Sequence, residues 1–188
     1  MDAIDALDDR TVVLAVQYLT EELQSGQPEP VKTAADARLV IASLLARGQA
    51  TVVDAGEIIA DDQLALATAR RALAAAAADD AMRSSVRDLL ADPPRDEQMS
   101  VEAAVTSAVV LAFLVSWLQT KVELRISRRD HKTEVDFSVS KEATDGQTLR
   151  ALASAVRTIL GFPVVPHPVL PGEASTDGES DKDAVPLK

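Results

Sequence analysis

The sequence predicts a mainly α protein (α+β): an N-terminal helical bundle, then a helix–β-hairpin–helix module, then a disordered acidic tail. Three observations carry this reading. Apolar residues recur at helical spacing through residues 1–92, two period-two runs flank a short polar turn within residues 122–140, and the chain after Pro163 loses all periodicity. A chain of 188 residues is one domain of ordinary size or two small ones, long enough to bury a core of its own. With 47% apolar residues but only 3% aromatic, that core has to be built from small aliphatic side chains.

The first helix follows Asp8 as its cap and carries Val12, Val13, Val16, Leu19 and Leu23 on one side. Gly26, Pro28 and Pro30 end it. Thr33 and Asp36 are spaced as a capping box, in which the acid reaches back to the cap amide. Ala37, Val40, Ile41, Leu44 and Leu45 then form one apolar face, and Gly48 suits a left-handed helix end. Asp54 and Glu57 open a third helical stretch, with Thr51–Val53 a possible short strand before it. Leu66, Ala69, Leu73 and Ala76 run through an alanine-rich fourth helix. Asp79 or Asp80 is placed to cap a last one bearing Met82, Val86, Leu89 and Leu90. Pro93 and Pro94 begin a charged linker over residues 93–99.

Residues 100–162 form the second module. Ser100 caps a helix whose stretch from Ala103 to Thr120 has no charged residue. Val122, Leu124 and Ile126 then alternate with polar neighbours, as do Val135, Phe137 and Val139 after the turn, which is the pattern of a half-buried hairpin. Asp145 caps a final helix carrying Leu149, Leu152, Ala153, Val156, Ile159 and Leu160, ended by Gly161 and Pro163. Pro163, Pro166, Pro168 and Pro171 prescribe extended chain, and the acidic remainder to residue 188 reads as disordered.

Charge is unevenly spread. Residues 1–99 hold 9 Lys/Arg against 18 Asp/Glu, residues 100–162 hold 8 against 7, and the whole chain carries a net −11. Such acidity argues against wholesale nucleic-acid binding. The absence of Cys excludes a disulfide framework, a thiolate metal site and a cysteine nucleophile, and two His are too few for a His-rich metal site. The first ten residues include four Asp and no apolar run, so no signal peptide is expected and the chain is expected in the cytoplasm.

The uncharged helix admits three readings: burial in the protein, a membrane anchor, and self-association with another copy. Eighteen residues sit at the lower edge of what crosses a bilayer core of roughly 30 Å, and Trp117 and Lys121 imitate an interfacial anchor. Against this, the segment carries Thr106, Ser107, Ser116, Gln119 and Thr120. The cations that follow it would also hold the hairpin in the cytoplasm, obliging the acidic bundle to cross. A central helix buried on all sides is the favoured expectation. A membrane anchor with a cytoplasmic hairpin is the alternative.

The apolar helix ending "LVSWLQTK", the run "VELRISRRDHKTEVDFSVS" and the helix ending "TILG" together resemble the effector-associated constant component domain of actinobacterial conflict systems, over about residues 103–161. The resemblance implies a non-enzymatic adaptor working beside effectors.

Candidate chemistry is sparse. His131 beside Asp130 has the composition of an acid-assisted base but sits in a turn, and His167 lies between prolines. The adjacent acids Asp8/Asp9, Glu21/Glu22, Asp61/Asp62 and Asp79/Asp80 suit helix starts better than metal coordination. No phosphate-binding glycine loop or nucleophile elbow appears. No catalytic residue, metal or cofactor is expected. Arg125, Arg128, Arg129 and Lys132 are the one basic cluster and the candidate binding residues, suited to an acidic protein, a phosphate backbone or anionic lipid. A two-stranded sheet is marginal alone and exposes two edges, so strand pairing in trans is expected, with a second copy or a protein partner.

Overall fold

The computed structural model describes residues 2–25, 31, 33–49, 54–94, 103–129, 132–138 and 146–162. It is mainly helical with one antiparallel hairpin, as predicted. The elements run α1 (Asp2–Asp5), α2 (Asp9–Gln24), α3 (Ala34–Gln49), a 3-10 turn (Ala55–Glu57), α4 (Asp62–Ala78), α5 (Arg83–Ala91), α6 (Ala103–Gln119), β1 (Glu123–Arg129), β2 (Lys132–Ser138) and α7 (Gly146–Leu160). Ser100, Asp145, the prolines after residue 162 and the possible strand at 51–53 lie outside the described residues.

Local chemistry sets the helix ends. Asp8 accepts from the Thr11 amide at 2.9 Å and from its hydroxyl at 2.7 Å, and these bonds hold the carboxyl below its ordinary pKa. Thr33 accepts from the Asp36 amide at 3.1 Å, and Asp61 from the Leu64 amide at 2.7 Å. The stretch opened by Asp54 is shorter than expected, a single 3-10 turn in which Asp54 caps Gly56. Asp79 does not cap α5. It closes α4 and accepts from the Ala81 amide, while Met82 stands at the start of α5 with no side-chain cap. Gly161 takes the left-handed conformation, φ 79°, that ends α7.

Gly48 has a different role from the expected left-handed one: it lies inside α3. A methyl group there would collide with the Ala153 Cβ and crowd the Leu149 carbonyl oxygen of α7. Glycine is therefore what lets α3 and α7 cross so closely.

The charge boundary does not divide the core. One buried cluster joins Val12, Val16 and Leu19 of α2, Val40, Ile41 and Leu44 of α3, and Leu73 of α4 to Leu111, Leu114 and Leu118 of α6 and Val156 of α7. A stripe of buried alanines, Ala65, Ala69, Ala72 and Ala76, lets α4 sit close to its neighbours. Helix α6 packs against α2, α4 and α3, and its residues 113–118 are all buried. The C-terminal turns of this helix are thus enclosed by protein, which accounts for the missing charge there. No helix among the described residues is long and apolar enough to cross a membrane.

Several arginines of the N-terminal half reach backbone carbonyls far along the chain. Arg38 holds Ile58 and Ile59, Arg47 holds Val135, Arg70 holds Ile4 and Leu7, and Arg71 holds Ile159 and Leu160. Burial lowers the Arg71 guanidinium pKa, and the two carbonyls that it caps at the end of α7 satisfy its donors in return.

Candidate interaction edge of the hairpin

The hairpin is a two-stranded sheet whose register runs from Glu123 opposite Ser138, through Ile126 opposite Val135, to Arg129 opposite Lys132. Leu124, Val135 and Phe137 are buried and Ile126 is half-buried, so one face joins the core. Arg125 and Asp136 occupy the other, exposed face. The most extensive helix contact of the hairpin is between β2 and α3.

One hydrogen bond fixes which backbone groups face outward. Arg47 Nη2 donates to the Val135 carbonyl at 2.6 Å. That oxygen therefore points out of the β1–β2 ladder, so Ile126 and Val135 form a wide pair whose amide and carbonyl groups both face away from the partner strand. Pairs alternate along an antiparallel ladder, which makes Leu124 and Phe137 a wide pair as well. Arg129 and Lys132, flanking a two-residue connection, are the narrow closing pair that this alternation requires. The outer edge of β1 consequently offers the N–H and C=O groups of Leu124 and Ile126, which find no partner among the described residues. The edge of β2 is closed at its centre, where Arg47 also pairs with Asp136 at 3.4 Å and lies 5.5 Å from the Phe137 ring centroid.

The four candidate basic residues all fall on this hairpin. Arg125 is exposed and bonded to Glu123 at 2.8 Å, an ion pair within the strand itself. Arg128 pairs in register with Thr133, and Arg129 with Lys132, next to the turn. His131, Asp130 and His167 lie outside the described residues. Arg47, the residue that distinguishes one edge from the other, carries no local signal, because its partner is 88 positions away.

A second polar cluster sits where α4, α6 and α2 meet. Asp79 Oδ2 accepts from Trp117 Nε1 at 3.1 Å and from Lys121 Nζ at 2.8 Å, while Ser85 donates to Glu22 at 2.8 Å beside them. Burial raises the Asp79 pKa, but the bonds from Lys121 and Trp117 and the Lys121 charge outweigh it and hold the carboxyl below its ordinary value. The adjoining cavity, about 80 Å³, has room for a few waters. The cluster ties the α4–α5 turn to the end of α6.

The other paired acids also have structural tasks. Asp8 and Asp61 are caps, Asp9 pairs with Arg70 at 2.8 Å, and Asp80 with Arg83 at 2.7 Å. No group of three or more His, Cys, Asp or Glu among the described residues is placed to hold a metal ion. No protein-family model, no curated protein and no solved structure matches the chain.

Proposed function

We propose that the protein is a cytoplasmic, non-catalytic interaction component that joins another chain by strand addition at its hairpin. The observation that carries this reading is the open edge of β1, with the outward N–H and C=O groups of Leu124 and Ile126 beside a core-anchored face. An exposed edge is a template for another strand, and main-chain bonds supply affinity there while neighbouring side chains select the partner. Arg125, Arg128, Arg129 and Lys132 along the same hairpin favour an occupant that sets a carboxylate against one of them. The resemblance of residues 103–161 to an adaptor-type domain supports the same reading, with a bacterial conflict system as its setting.

Residue-resolved hydrogen exchange on the dilute full-length chain tests it. The Arg125 and Ser127 amides, which point into the ladder, are expected to be protected. Those of Leu124 and Ile126 are expected to exchange as unpaired amides do. Protection of Leu124 and Ile126 at every concentration would show the edge to be occupied within the chain, and the proposal would fall.

A further inference from the structure

Resting on that reading, we infer that the occupant of the β1 edge is β1 of a second copy, antiparallel, about a two-fold axis at Ile126. The edge of β2 cannot serve equally: Arg47 occupies the Val135 carbonyl and α3 lies alongside that strand. The strand that remains open is β1, and its sequence is complementary to itself when reversed.

Ile126 is the midpoint of Glu123–Arg129. An axis there pairs all seven residues of the strand and sets Glu123 against Arg129, Leu124 against Arg128, Arg125 against Ser127 and Ile126 against its own copy. The acidic beginning of each strand meets the basic end of the other, twice, and no like charges are opposed. Moving the axis to Arg125 would oppose two Arg125 side chains. Moving it to Ser127 would oppose Arg125 to Arg129 on both sides. The register centred on Ile126 is also compatible with the ladder, because the residues facing one another through their main chains are then Leu124, Ile126 and Arg128, the outward-pointing set. Paired in this way they form about six new main-chain hydrogen bonds. The result is a four-stranded antiparallel sheet in the order β2–β1–β1–β2, built about the two-fold axis, with a β2 edge capped at its centre by Arg47 at each end. Such a sheet removes the marginal stability of a lone hairpin.

Light scattering on a size-exclusion column, over a dilution series of the full-length protein, tests the pairing with three variants. The unmodified chain is expected to be a dimer in which the Leu124 and Ile126 amides become protected as concentration rises. Glu123→Arg and Arg129→Glu, which reach the same pair from its two sides, are each expected to weaken the dimer by on the order of tenfold or more. The double variant E123R/R129E is expected to restore it, which a mere loss of folding could not do. A chain that stays monomeric with freely exchanging Leu124 and Ile126 amides overturns self-pairing but leaves the open edge of the proposed function intact. A dimer indifferent to both single swaps is held by another surface and overturns the inference. Amides protected in the monomer overturn both.

Discussion

Arg47 and Val135 lie 88 positions apart and are joined by a hydrogen bond of 2.6 Å from the end of α3 to the carbonyl of β2. This bond attaches the hairpin to the bundle and closes one of its two edges. Replacing Arg47 with Ala should therefore act on the hairpin first. The side chain is 45% exposed, so the expected loss is modest, about 1–2 kcal/mol for the charged hydrogen bond and the contact with Phe137. Amide exchange should accelerate across β1 and β2 while the buried turns of α2 and α4 keep their protection. If β1 pairs with a second copy, the variant also gains a second open edge. Species larger than a dimer should then appear at high concentration in light scattering, and Arg47→Lys should suppress them in part.

The α3–α7 crossing makes the next test. Alanine is ordinarily favoured over glycine within a helix by about 1 kcal/mol. At Gly48 the added methyl meets the Ala153 Cβ and the Leu149 carbonyl oxygen, and neither can be moved aside by changing a rotamer. Overpacking of this kind costs about 1–3 kcal/mol, so the clash wins. Gly48→Ala should lower stability in denaturant titration, and the added change Ala153→Gly should recover part of the loss by removing one of the two obstacles.

Much of the fold is legible in the sequence because it is encoded locally. Asp8 and Thr33 bond to amides three residues on, and the alternation around Leu124, Ile126, Val135 and Phe137 is the alternation of buried and exposed positions in the hairpin. What is not legible depends on distant partners. A uniformly apolar helix presents the same pattern to lipid and to protein, so only the packing of α2, α3 and α4 around α6 decides between them. Gly48 near a helix end looks like a terminator, and the reason for it lies in Ala153 of another helix. The open edge follows the same rule. That a hairpin has edges is evident from the sequence, but which edge is closed depends on Arg47.

Asp79 gives a pH dependence with a defined sign. Its folded-state pKa lies below the ordinary value of 3.8, so the ionised carboxylate contributes stability at neutral pH. That contribution is lost as pH falls below 3.8 and through the lower folded-state value. Asp79→Asn should cost about 1–3 kcal/mol near pH 7, since a charged acceptor shared by Lys121 and Trp117 is replaced by a neutral one. The variant should also show a shallower loss of stability below pH 4 than the unmodified chain. Trp117 is the sole tryptophan and donates directly to Asp79, so its fluorescence emission reports the break without an added probe.

Ile59 combines burial with an unfavourable backbone. It is 1% exposed, yet its φ is 54°, in the left-handed region where a β-branched residue is an outlier. Arg38 helps to hold it there, donating to the Ile58 carbonyl at 3.0 Å and the Ile59 carbonyl at 3.3 Å. Strain of this type costs about 1–3 kcal/mol, while deleting a buried isoleucine side chain costs about 2–5 kcal/mol, so packing outweighs strain and truncation should destabilise in either form. The two truncations should differ in an unusual order. Ile59→Ala loses the packing and keeps a Cβ in the left-handed conformation, whereas Ile59→Gly loses the same packing but is released from the strain. Glycine should therefore be the less damaging replacement, by about 1 kcal/mol, reversing its usual rank against alanine. Thermal or denaturant unfolding of the two variants side by side checks this order, and an Ile59→Ala variant more stable than Ile59→Gly would show the backbone at this position to relax once the side chain is gone.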